Sequence, residues 1–136
     1  MKILIRSIAI SAIGVSICLM LMHILDLNIR YDELNKASHL AMTNTQIVMQ
    51  ENIEDIYYGT NNSRKKISTN KEYLNDFKEN FMTLVNSDGT YLIDGYSDVY
   101  KGLLCVDIKH QYKNFLGQDK TIRKKLINVI DVVIYE

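Results

Sequence analysis

Between Gly14 and Gly59 the chain contains neither glycine nor proline, and proline is absent throughout. Those two residues interrupt helices most readily, glycine through backbone freedom and proline through its missing N–H and a steric clash. Their absence lets one helix run unbroken from the N-terminal region to about Tyr58. The first part of that stretch is no ordinary soluble helix. Ser7 to Leu25 carries no charged side chain. As a helix this run extends about 28 Å, close to the hydrocarbon thickness of a bilayer. Nine of its residues are Ile, Leu or Val. Each favours insertion by roughly 0.3 to 0.6 kcal/mol, offset in part by Ser11, Gly14, Ser16 and His23. Asp26 ends the run.

The sequence therefore predicts a transmembrane anchor over residues 1–27, with a short cytoplasmic N-terminus, and one extracytoplasmic domain over 28–136. Orientation follows from flanking positive charge. Lys2, Arg6 and the N-terminus precede the run, whereas Arg30 is balanced by Asp26, Asp32 and Glu33. The expected location is the cell membrane, crossed once, with the bilayer as the first partner. A cleaved signal peptide would need small residues near the end of the run. Residues 20–27 read Met-Leu-Met-His-Ile-Leu-Asp-Leu, which are bulky. Lipid attachment at Cys18 would need a small residue where Ile17 stands. A retained anchor is the expectation. Ser7, Ser11, Gly14 and Cys18 share one face of it, and small residues let a second transmembrane helix approach closely.

Beyond the anchor, Leu34, Ala37, Ala41, Thr45 and Val48 form one helical stripe, widened by Leu40 and Ile47. Its small residues predict a stem helix seated closely against a sheet. Glu33, Lys36 and Asn44 occupy the opposite, solvated side. Gly59 opens a loop that includes Asn61-Asn-Ser63 and the basic run Arg64-Lys-Lys66. Thr69 and Glu72 have capping-box spacing, and a second helix follows to about Val85. Tyr73, Leu74, Phe77, Phe81 and Leu84 recur at helical spacing and read as core.

Asn86-Ser-Asp-Gly-Thr90 is a turn, and strands follow. Thr90 to Asp94 alternates weakly. Leu104, Val106, Ile108 and Tyr112 point one way, with His110 on their side, while Cys105, Asp107, Lys109, Gln111 and Lys113 point the other. Phe115 to Lys120 makes a hairpin connection. The last strand runs from about Thr121 to Tyr135 and becomes almost wholly apolar through Ile130, Val132, Val133 and Ile134. A strand covered on both faces reads that way. The predicted fold class is α+β: a transmembrane helix continuing as a long amphipathic helix, a second short helix, and a three-stranded antiparallel sheet with the helices on one face.

Composition and motifs narrow the chemistry. Lys plus Arg equals Asp plus Glu, whereas a nucleic-acid binder normally shows a basic excess. Cys18 lies in the apolar run and Cys105 in a strand, too far apart for a disulfide. There is no nucleophile elbow, Walker loop, dinucleotide fingerprint or zincin motif. The three histidines are scattered. Asp107 and His110 fall on opposite faces of a strand and cannot share a metal. Asp88, Asp94 and Asp98, beside Gly89 and Gly95, lack the spacing of a calcium loop and read as turn chemistry. No catalytic residue, cofactor or metal ligand is expected.

The plan of the chain resembles type IV pilin-like proteins, in which an N-terminal transmembrane helix continues outward as a stem on a small antiparallel sheet. Asp26-Leu-Asn-Ile-Arg-Tyr31 followed by Asn35-Lys-Ala-Ser-His-Leu-Ala41 looks similar to the TadE-like minor pseudopilins of tight-adherence pili, where an acidic residue ends the anchor and a Tyr- and Ala-bearing stem follows. The chain also looks like small membrane-anchored proteins of Gram-positive bacteria. The resemblance covers about residues 1–58 by pattern. Pilin precursors carry a Gly before the apolar run and a Glu five residues on. Here Gly14 stands within the run and Leu19 is five residues further. The resemblance therefore implies an uncleaved accessory component with other membrane or pilus-type proteins as partners. The expected function is a non-catalytic assembly or scaffold role. The alternative is an extracytoplasmic sensor or ligand-binding subunit acting with a partner.

Overall fold

The structure, a computed structural model, describes residues 1–59 and 69–130. It is α+β. Helix α1 spans Lys2–Tyr58, α2 spans Asn70–Leu84, and strands β1 (Thr90–Asp98), β2 (Leu103–Lys113) and β3 (Asp119–Val129) form the sheet. The strands pair antiparallel in the order β1-β2-β3. Residues 61–66, expected as a loop, and the end of the expected last strand, with Val132, Val133 and Ile134, lie outside the described residues.

α1 is 57 residues long, about 85 Å at 1.5 Å per residue. It ends where Gly59 takes a left-handed backbone. Its two parts face different surroundings. Every residue through Met22 is exposed, and this part is long and apolar enough to cross a bilayer. From Leu34 on, the helix buries Leu34, Ala37, Ser38, Ala41, Met42, Thr45, Met49, Asn52 and Ile53, with Val48 half-buried. Leu40 and Ile47 do not widen this stripe. They are 49% and 42% exposed, because roughly 100° per residue carries them to the far side of the helix. Glu33, expected on the solvated side, is also misplaced by the sequence reading. It is half-buried and bonded to the segment after α2.

α2 runs antiparallel to α1. Thr45 meets Asp76, and twelve residues nearer the N-terminus Glu33 meets Ser87. The stem stripe therefore packs chiefly on α2 and touches β3 more narrowly. The stem was expected to sit on the sheet; α2, which lies on β1, supplies most of its contact, and α1 reaches the sheet chiefly at β3. The aromatic residues of α2 are core: Tyr73, Phe77 and Phe81 are buried. Thr69 is the N-cap, but its hydroxyl makes no capping bond. The start of α2 is held instead by tertiary bonds. The backbone carbonyl of Asn70 accepts from the Ser97 hydroxyl, and its side-chain Oδ1 accepts from the Val99 amide at 3.0 Å.

On β2 the alternation is complete. Leu104, Val106, Ile108, His110 and Tyr112 are buried, and the intervening residues face outward. The outward face carries the Asp107–Arg123 ion pair, so Asp107 and His110 stand on opposite sides. Strand β1 runs four residues beyond the expected Asp94, then closes through a single 3₁₀ turn at Val99–Lys101. Gly95 is thus no turn residue. A Cβ there would collide with the Cys105 carbonyl and come within 3.1 Å of Leu74 Cδ1. Only glycine leaves room there for the close approach of the β2 backbone. Cys18 and Cys105 are both free.

Candidate functional site: a clasp between stem helix and sheet

A dense polar cluster lies where α1 leaves its apolar run. Asp26 and Arg30 are one helical turn apart, so their side chains meet on one face. Arg30 Nε donates to Asp26 Oδ1 at 2.9 Å. The same guanidinium reaches across to the turn after α2, donating to Asp88 Oδ1 at 2.6 Å and to the Asp88 carbonyl at 3.0 Å. It also lies 4.2 Å above the ring of Tyr112. One arginine thus binds a helical carboxylate, a turn and a strand aromatic. A planar fork with five donors suits this task, and a lysine could not reproduce it.

Glu33 grips the same turn from the other side. One carboxylate oxygen accepts from the Asn86 amide at 2.5 Å and the Ser87 amide at 3.1 Å. The other accepts from the Ser87 hydroxyl. Arg30 and Glu33, three residues apart, therefore hold residues 86–88 from two directions. Gly89 completes the turn with φ 126°; a Cβ there would stand 2.5 Å from the Gln111 carbonyl and 2.7 Å from His110 Nε2.

His110 is fully buried beneath this turn. Its Nε2 lies 3.0 Å from the Asp88 carbonyl. A carbonyl only accepts, so Nε2 donates. The ring stacks on Tyr91 with centroids 4.2 Å apart and an interplanar angle of 12°. Tyr112 lies on another side at 5.1 Å. Phe81 meets Tyr91 edge-on at 5.3 Å, and Phe77 stacks on Phe81 at 6.0 Å. A chain of rings therefore leads from α2 through β1 and β2 to Arg30 on α1.

The electrostatics follow from these contacts. Burial works against the charge on Arg30, but its bonds to Asp88 and Asp26 prevail and raise its pKa. Burial likewise opposes ionisation of Glu33, and its bonds from Ser87 and the Asn86 amide outweigh it and lower the pKa. The bond from Arg30 lowers the pKa of Asp88. Burial, assisted by the charge of Asp26 and opposed by Arg30, raises Tyr112.

This arrangement suits fastening. Arg30 answers the carboxylates of Asp26 and Asp88, and Glu33 is held by amide and hydroxyl donors of residues 86 and 87. Among the described residues no group of three His, Cys, Asp or Glu could hold a metal ion. Four buried polar atoms in or beside the cluster lack a hydrogen-bond partner: His23 Nδ1, Asp26 Oδ2, His110 Nδ1 and Tyr112 OH. The other residues singled out in the sequence lie elsewhere. Ser7, Ser11, Gly14 and Cys18 are exposed along α1, and beyond the helix's own backbone nothing lies within 4 Å of where a Gly14 Cβ would stand. Leu34, Ala37, Ala41 and Thr45 are buried above the clasp, with Val48 half-buried.

The sequence reading missed Arg30, Glu33 and Asp88 as partners because their bonds span more than fifty residues. The only local signals were the four-residue spacing of Asp26 and Arg30 and a histidine on the apolar side of a strand. Comparison with protein-family models, curated proteins and solved structures returned no match for this chain.

Proposed function

We propose that this protein is a non-catalytic, membrane-anchored assembly or scaffold component whose folded domain is extracytoplasmic. The observation that carries this reading is the division of α1. One uninterrupted helix presents a wholly exposed apolar half and a half packed into a small α+β domain. The clasp adds a mechanical argument. Arg30 and Glu33 tie the helix to the sheet just beyond the apolar run, so motion of the anchor is transmitted to the domain as a unit. A scaffold requires that stiffness, and a flexible tether would lack it. The small-residue face at Ser7, Ser11, Gly14 and Cys18 supplies a surface for a neighbouring helix. A stem continuing from an N-terminal anchor onto a small antiparallel sheet favours the narrower form of the proposal, an accessory pseudopilin.

The test is purification of the full-length chain from native membranes in mild detergent, with mass spectrometry of what accompanies it. Membrane proteins of a pilus or secretion assembly are expected, and recovery of the bare chain overturns the reading. Orientation is tested separately by a Lys109→Cys variant in a Cys18→Ser, Cys105→Ser background. Lys109 is exposed on the outer sheet face. An impermeant thiol reagent should label it in intact cells, and labelling only after lysis refutes the extracytoplasmic placement.

A further inference from the structure

We infer that the β2–β3 hairpin tip is a second membrane contact: Phe115 and Leu116 enter the lipid interface beside the anchor, so the domain rests against the bilayer surface. This inference rests on the anchor reading above. The depth of the tip comes from one contact. The Phe115 ring lies 6.2 Å from the ring of His23. His23 belongs to the uncharged run and precedes its last residue, Leu25, by two positions, about 3 Å along the helix axis. If the run is in lipid, the tip stands at the level of its last turn. Phe115 is 41% and Leu116 58% exposed. Two consecutive large apolar side chains at a hairpin tip are unfavourable in water and well placed at a lipid interface.

The tip is built to hold them there. Asn114 is buried, and its Oδ1 accepts from the Leu116 amide at 3.1 Å and the Gln118 amide at 2.8 Å. Its carbonyl accepts from the Gly117 amide, and its amide donates to the Gln118 carbonyl. Lys113 and Lys120 lie on the strands behind the tip, with Asp119 paired opposite Lys113. Lysines at that height can lay their stems along apolar surface and place the ammonium groups among lipid phosphates. The contact is continuous with the anchor itself, which makes lipid its occupant.

The chain contains no tryptophan, so Phe115→Trp introduces a single fluorescent reporter. The full-length variant is reconstituted into phosphatidylcholine and phosphatidylglycerol vesicles containing lipids brominated at shallow or deep acyl positions. Tyr96→Trp is the comparison, because Tyr96 is exposed and lies six residues further along β1 from the clasp than Thr90. Expected are blue-shifted emission from the Trp at 115, with most of its intensity lost to shallow bromines, and little loss from the Trp at 96. Failure of the protein to float with vesicles overturns the anchor reading and, with it, this one. Flotation with the Trp at 115 unquenched, or quenched no more than that at 96, overturns the tip contact alone. Leu116→Trp repeats the measurement should Phe115→Trp fail to fold.

Discussion

Thr45→Val probes the junction of the two helices with almost no change in shape. Thr45 is fully buried, and its hydroxyl donates to Asp76 Oδ2 at 3.1 Å; Asp76 is itself only 5% exposed. Valine keeps the branch and volume at Cβ but removes the donor. Water cannot easily replace it at so buried a position. A hydrogen bond to a charged group contributes about 1.5 to 3 kcal/mol. The bond from Asn80 Nδ2, also 3.1 Å, remains and tempers the loss. The expected destabilisation is about 2 kcal/mol, or a fall in Tm on the order of 8 to 16 °C for a domain of this size. Thr45→Ser separates donor from packing, because it keeps the hydroxyl and loses one methyl, for about 1 kcal/mol. Thermal unfolding of the full-length protein in detergent, followed by tyrosine near-UV circular dichroism, measures both. The reasoning is refuted if Thr45→Val melts like the parent, or if Thr45→Ser is the more damaging change.

Three further outcomes are expected. Gly95→Ala should destabilise by about 1 to 3 kcal/mol through overpacking, since a Cβ there meets the Cys105 carbonyl of β2 and Leu74; urea unfolding reads this, and a neutral result would refute the close approach of β2 to Gly95. Glu33 has a folded pKa below its ordinary 4.5, so the stability it confers is present above that value and is lost as pH falls through the depressed one. Glu33→Gln should therefore flatten part of the acid limb of a stability-versus-pH curve, and an unchanged slope would count against the clasp. Arg30→Lys keeps the charge but loses the fork held by Asp26, Asp88 and Tyr112. Hydrogen exchange should accelerate at the amides of residues 86–90, while the amide of Phe81, in the middle of α2, stays protected.

Local patterns carried most of the architecture. The absence of helix breakers from Val15 to Tyr58 determined one long helix, since nothing in that stretch opposes the i to i−4 ladder. The uncharged run specified where that helix becomes apolar on every side. Period-two alternation assigned the two faces of β2 residue by residue, and helical spacing identified Tyr73, Phe77 and Phe81 as core. These properties depend on neighbours within a few residues, which a single sequence displays. The tertiary structure decided what spans the chain. It made α2 the main partner of the stem, made Gly95 a point of close approach, and turned Glu33 from a solvated residue into a ligand of the turn at 86–87. It also brought Arg30, Asp88, His110 and Tyr112 together and set Phe115 beside His23. Such contacts form only when the meander and α2 fold back along the stem, and no periodicity in the sequence encodes the distance between residues that far apart.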